Sequence, residues 1–295
     1  MWFIETLGNK VGKLSTAHVV TEYTIPTEGA YGPMSVDGIT PQFKPAGITV
    51  GSDGSLWFTE YAANKVAKLT SLGSFTEYPI PSDNAYPDGI VAGPDGNIWL
   101  TESGTDKVAK VTPRGTITEY PLARIPYSIA ASADGNIWVG EGGGLAKITP
   151  GGLVTNYPFA GSAGAIVAGP DGNMWFADWN GSPAIGKVTA FGKITRYSIP
   201  EDHIPVAYPG FITTASDGAL WFTMDGFGAF VGRVSTTGDF TELTLPGFPY
   251  SGGYDSGGIA AGPDGNVWFT SVLSDELIKV DARSQPGTAD AWPGF

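Results

Sequence analysis

The sequence predicts an all-β fold, a seven-bladed β-propeller of four-stranded blades, and three observations lead there. A tryptophan at a strand start recurs seven times, at Trp2, Trp57, Trp99, Trp138, Trp175, Trp221 and Trp268, usually just after Asp-Gly. The gaps of 37 to 55 residues are too long for one hairpin, too short for one domain, and the size of one propeller blade. Segments with a helical period of apolar residues are absent, so nothing competes with the strand reading.

Each element of a repeat has its own local reason. Ala46–Val50 reads as a short first strand, a, and Ser52-Asp53-Gly54-Ser55 as a tight turn, because Asp-Gly accepts the positive φ that such turns require. Leu56–Glu60 is the second strand, b. Lys65–Leu69 alternates polar with apolar as the third, c, and Ser74–Tyr78 is the fourth, d, ended by Pro79. The same grammar returns at Asp95-Gly96, Asp134-Gly135, Asp171-Gly172, Asp217-Gly218 and Asp264-Gly265. The motif at Trp2 is already strand b, so the first blade is predicted to lack its inner strand. A removed leader, the 27–44 stretch, or the C-terminal Trp292-Pro293-Gly294-Phe295 could each close that gap. Residues 1–295 read as a single domain, with 43 glycines and 23 prolines spread as turn punctuation rather than gathered in a linker.

Composition narrows the function. A net charge of −13, with 16 Lys plus Arg, excludes phosphate-driven nucleic-acid binding. No apolar run is long enough to span a membrane, and the start lacks a signal peptide. The expectation is a soluble monomer, cytoplasmic or secreted with a signal outside residues 1–295. With no cysteine there is neither a disulfide framework nor a thiol nucleophile.

The repeats Gly54–Val66 and Phe75–Pro81 resemble the virginiamycin B lyase, or streptogramin lyase, family, over essentially the whole chain. The resemblance implies a seven-bladed propeller that opens cyclic streptogramins at an ester by elimination, with a magnesium ion and histidines on one face. Those histidines belong to Pro-His-Gly or Pro-His-Ala steps just before strand a. The matching steps here are Pro45-Ala46-Gly47, Pro87-Asp88-Gly89, Pro126-Tyr127-Ser128, Ala163-Gly164-Ala165, Pro209-Gly210-Phe211 and Ser256-Gly257-Gly258. None holds a histidine. The chain has only His18, in a turn, and His203, in the loop before a strand a. Elimination needs a positioned base, so this loss argues against that chemistry in its family form.

What remains is acidic and aromatic. Glu5, Glu60, Glu102, Glu141 and Asp178 end strand b in five repeats, joined by Asp88 and Asp255 from d-to-a loops, and Asp255 aligns with an acidic ligand position of the family. Such carboxylates could hold Mg or Ca, with Asp255, Glu60 and Glu102 as candidates, or do acid-base work. The simpler reading of a repeated strand-b Glu is a blade-to-blade hydrogen-bonding device. The extra length falls in d-to-a connections at 27–44, 200–209 and 247–257, predicted on one face and rich in aromatics. Phe43, Tyr86, Trp179, Phe211, Phe227, Phe230, Phe248 and Tyr250 are the expected substrate-binding set, and Tyr127, Tyr208, Tyr254, Asp88, Asp255 and His203 the expected catalytic set. The expectation is a non-hydrolytic enzyme of specialised metabolism that binds an apolar small molecule. Cyclisation, isomerisation or elimination fits, and cycloaddition is included because it needs no metal, nucleophile or histidine. The alternatives are a non-catalytic ligand- or protein-binding propeller and, third, a metal-dependent streptogramin B lyase.

Overall fold

The computed structural model describes residues 2–5, 8–15, 19–28, 47–179, 182–200, 208–225, 230–244, 256–271, 276–282 and 289–292. It is an all-β propeller in which, within each sheet, successive strands pair antiparallel in sequence order. The first sheet has β1 (Trp2–Glu5), β2 (Lys10–Leu14) and β3 (Val20–Thr24). The second has β4 (Ile48–Val50), β5 (Leu56–Glu60), β6 (Lys65–Leu69) and β7 (Phe75–Pro79), and the third β8 (Pro87–Ala92), β9 (Ile98–Glu102), β10 (Lys107–Val111) and β11 (Ile117–Pro121). A six-stranded sheet follows, of β12 (Pro126–Ala131), β13 (Ile137–Ile148), β14 (Val154–Ala168), β15 (Met174–Asp178), β16 (Ala184–Val188) and β17 (Ile194–Ser198). The last two are β18 (Tyr208–Thr214) to β19 (Leu220–Asp225), β20 (Phe230–Val234) and β21 (Phe240–Thr244), and β22 (Ser256–Ala261) to β23 (Val267–Ser271), β24 (Glu276–Val280) and β25 (Ala289–Trp292).

The described residues thus form six sheets, not seven separate four-stranded blades. Two motif tryptophans, Trp138 and Trp175, share the six-stranded sheet, where β13 and β14 run 12 and 15 residues. The connections there are short: nine residues separate Trp138 from the Lys147 above its ring, against eleven from Trp57 to Lys68. The first sheet has three described strands, and residues 29–44 of the stretch that could add an inner strand lie outside the described residues. Trp292 is the end of β25, paired with Leu277 of β24, and Pro293, Gly294 and Phe295 lie outside the described residues.

Two compact units make up the chain, one of residues 1–131, 135–141 and 146–156, the other of 132–134, 142–145 and 157–295. In the first unit the core lies between successive sheets. Trp57, Val66 and Ile80 of the second sheet region pack with Ile98, Leu100, Ala109 and Val111 of the third. In the second unit Trp175 and Ile185 pack with Ile212, Leu220 and Phe222.

The tryptophan repeat owes its form to side chains that meet only once the hairpins form. Trp99 Nε1 donates to Asp95 at 3.2 Å and Trp175 Nε1 to Asp171 at 2.9 Å, tying each indole to the Asp-Gly turn before it. Lys68 lies 5.3 Å over the Trp57 ring, and Tyr78 stacks on it at 5.6 Å. Tyr78 also reaches the next sheet, where Gly115 has φ +88° and a Cβ would collide with its ring. Gly152 serves Tyr120 in the same way.

Candidate functional site

Five of the six matching steps form part of the inner strands rather than preceding them; of the sixth, only Gly47 is described, and it precedes β4. The β8–β9 register shifts between Pro87 and Ile90, the β12–β13 register between Pro126 and Ser128, and the β18–β19 register between Pro209 and Ile212. β14 shifts between Ala163 and Ile166, and β22 between Ser256 and Ile259. Each is a bulge, where one strand carries extra residues and re-aims a side chain. Asp88 and Tyr127 occupy two of these bulges in the first unit. Asp88 is buried, and its carbonyl accepts from Thr59 Oγ1 at 2.7 Å and from Gly47 N at 3.2 Å.

In the second unit the step residue Gly164 faces Trp179, and a Cβ there would collide with the indole. Trp179 is 42% exposed, and its amide donates to Ser162 O at 3.2 Å. Tyr208 is exposed at the start of β18, and Phe211 is half-buried, its amide donating to Thr223 Oγ1 at 3.0 Å. His18, His203, Phe43, Phe227, Phe248, Tyr250, Tyr254 and Asp255 lie outside the described residues, as does the side chain of Phe230.

The strand-b acids carry the strongest electrostatic signal. Glu60 and Glu102 are fully buried, and Glu141 is nearly so. Both carboxyl oxygens of Glu60, and one each of Glu102 and Glu141, lack a hydrogen-bond partner. Burial pushes Glu60 up to about 7, with the Glu77 carboxylate adding to it. Burial likewise pushes Glu102 and Glu141 up to about 7.

Glu60, with no partner on either carboxyl oxygen, and Glu102, which accepts from Thr105 Oγ1 in the β9–β10 loop at 2.8 Å, are not the blade-to-blade device expected of them. That role falls to Glu77 and Glu119 on the outer strands. Glu77 accepts from Thr27 N at 3.1 Å and Thr27 Oγ1 at 2.7 Å, and Glu119 from Ser82 N and Ser82 Oγ at 2.9 Å. Lys65 and Lys107 complete the two sites at 2.7 and 2.8 Å. Sequence reading missed these groups, although Glu, Lys five residues on and Glu seventeen on recur at 5/10/22, 60/65/77 and 102/107/119. Among the described residues no group of three or more His, Asp or Glu could hold a metal ion, and the third metal candidate, Asp255, lies outside them. No helix among the described residues is long and apolar enough to cross a membrane.

Bulged inner strands, buried strand-b acids and a tryptophan-marked repeat define a β-propeller. A sequence profile of the virginiamycin B lyase family matches residues 34–206 and 145–286, and the chain belongs to that family. Among solved structures it resembles a streptogramin B lyase, at 32% identity over 92% of this chain and 86% of that one, with a TM-score of 0.79. It also resembles the virginiamycin B lyase of Staphylococcus aureus, at 29% identity over 92% and 87%, with a TM-score of 0.79. A catalytically inactive variant of the S. aureus enzyme with quinupristin gives 29% over 92% and 87%, at 0.78. A search of curated proteins returns no match.

Proposed function

We propose that this propeller is a small-molecule enzyme of specialised metabolism that binds an apolar substrate at the bulged strand ends and promotes a non-hydrolytic elimination, isomerisation or cyclisation. The observation that carries this reading is the pair of bulges that hold Asp88 and Tyr127 where the family resemblance leads one to expect histidine. In this reading Asp88 accepts a proton and the Tyr127 hydroxyl donates a hydrogen bond to developing negative charge. The S. aureus relative is inactivated by a histidine-to-alanine change, whereas this chain carries only His18 and His203. Acid-base work here would therefore rest on a different residue type. Any metal would have to be held by residues such as Asp255.

Ring opening by elimination, isomerisation and cyclisation all conserve mass, whereas hydrolysis adds one water. Mass spectrometry of the protein with apolar cyclic esters, quinupristin included, and with linear polyenes should yield products isobaric with substrate. Asp88→Asn and Tyr127→Phe should each lower turnover by about a hundredfold. Turnover unchanged in both variants, or a product heavier by one water, would sink the assignment.

The full burial of Glu60 and Glu102 favours a second reading, a non-catalytic binding propeller, which the absence of any turnover alongside retained ligand binding would support. We also read the six-stranded sheet as two repeats joined through β13 and β14, which would restore seven blades. Trp138 and Trp175, each just after its own Asp-Gly turn, support that count.

A further inference from the structure

Tyr86 carries a ring its backbone does not favour. Its φ is +48°, in the left-handed region where a Cβ is crowded and where glycine or asparagine is at ease. Asn84 and Asn64, at φ +54° and +57°, use that tolerance within the same loop pair. The conformation of Tyr86 is held from several sides. Ala85 N donates to Asn64 Oδ1 at 2.8 Å, and Gly104 N donates to Ala85 O at 2.9 Å. Ser103 Oγ donates to Tyr86 O at 3.1 Å.

The strain is not repaid by burial. Tyr86 remains 40% exposed, and its ring stacks on Tyr61, with centroids 5.1 Å apart and planes at 23°. Gly104 leaves room for it, since a Cβ there would lie 2.5 Å from Tyr86 Cδ2. Tyr61 directly follows Glu60, Ser103 follows Glu102, and Tyr86 stands two residues before Asp88. The two lysines of this region, Lys65 and Lys107, are bound to Glu77 and Glu119 and offer nothing to an anion. A strained, over-determined residue with a half-exposed ring is a mark of function rather than packing.

We infer that Tyr61 and Tyr86 form an aromatic platform that binds an uncharged planar aromatic ring of the ligand by extending the stack. This rests on the reading above that the bulged strand ends take a small molecule, and it names the part of that molecule this platform would hold. Stacking on an aromatic face selects flat rings over saturated rings of the same size.

The test uses two probes, 2-naphthol and decahydro-2-naphthol, titrated into the full chain and followed by NMR shifts of the protein and by naphthol anisotropy. The aromatic probe should bind at least about tenfold more tightly than its saturated counterpart. Tyr86→Gly and Tyr86→Asn, which both accept positive φ, should weaken naphthol binding by about tenfold. Their Tm should stay within about 2 °C of wild type or rise, because relief of strain offsets the lost stack. Equal binding of both probes, or naphthol binding unchanged in both variants, would overturn the platform yet leave the catalytic reading to its own test on Asp88 and Tyr127. No binding of either probe, or a Tm lower by 5 °C or more in both variants, would also overturn it, the latter by making Tyr86 a packing residue.

Discussion

The strand-b acids are treated in opposite ways in the two units. In the first, Glu60 faces a second acid, Glu77, which stands opposite Ala67 on β6, and the nearby Lys65 binds Glu77 instead of Glu60. The third sheet repeats this with Glu102, Glu119 opposite Ala109, and Lys107. In the second unit, Arg196 takes the place of the outer acid, opposite Gly186 on β16, and Ala184 stands where Lys65 and Lys107 begin their strands. Arg196 Nε binds Asp178 directly at 2.6 Å, and Ser162 N adds a bond at 3.1 Å.

The charges in each arrangement explain the difference. Two carboxyls and one lysine reach neutrality only if one carboxyl keeps its proton, and the more buried one does. One carboxylate and one guanidinium are neutral with both ionised. Buried groups avoid net charge because removing an ion from water costs several kcal/mol, even after relaxation. The first unit thus stores a proton where the second stores an ion pair.

The sharpest way to break this contrast is Arg196→Ala. It leaves the fully buried Asp178 carboxylate with the Ser162 amide but without its cation, and should cost about 3 kcal/mol in urea denaturation at pH 7. Adding Asp178→Asn should recover most of that loss. A cost below about 0.5 kcal/mol for Arg196→Ala would mean that the pair is a surface contact, and the contrast would fail.

A smaller effect, with a pH signature, is expected in the first unit. Glu60, Glu102 and Glu141 keep their protons in the folded state up to about pH 7, whereas the unfolded chain releases them near the ordinary 4.5. The folded state then binds more protons across this window, so their contribution to stability falls as pH rises from about 4.5 to about 7 and levels off above. Glu77 and Glu119 work the other way. Burial opposes their ionisation, but hydrogen bonds from Lys65 and Lys107, with those of Thr27 and Ser82, hold them below the usual range. Their contribution is present above about 4.5 and is lost in acid. Glu60→Gln and Glu102→Gln mimic the protonated form and should each gain about 1 kcal/mol at pH 8, discounted for solvent screening, with little change at pH 4.5. An equal effect at both pH values would show that these carboxyls do not hold protons.

The fold was legible because its instructions are local. Asp-Gly, a tryptophan three or four residues on, and a third strand carrying Lys or Arg specify one hairpin after another without reference to distant chain. Beta-bulges were not legible, since Pro87-Asp88-Gly89 reads equally well as a loop before a strand or as the start of one. The role of Glu60 was misjudged for a related reason. Its neighbour Glu77 is seventeen residues away, and only the double register of β5 on β6 and β6 on β7 brings the two together. The repeated spacing of Glu, Lys and Glu was the available signal. Among the described members of the expected aromatic set, Tyr86 differs by a backbone angle that no side-chain pattern encodes.

The finest test separates the two jobs of Glu77. If the like charge on Glu77 helps hold the proton on Glu60, then Glu77→Gln should lower the Glu60 pKa, read from the carboxyl carbon shift in an NMR titration. The same change weakens the hydrogen bonds from Thr27 and the ion pair with Lys65, and should cost only about 0.5–1 kcal/mol, because the group is partly solvated. Glu77→Arg with Lys65→Ala goes further and copies the Asp178–Arg196 arrangement into the second sheet. Glu60 should then titrate in the ordinary carboxylate range or below it. A Glu60 carboxyl that stays near 7 in both variants would show that burial alone sets it, and that the two units differ in packing rather than in how they balance charge.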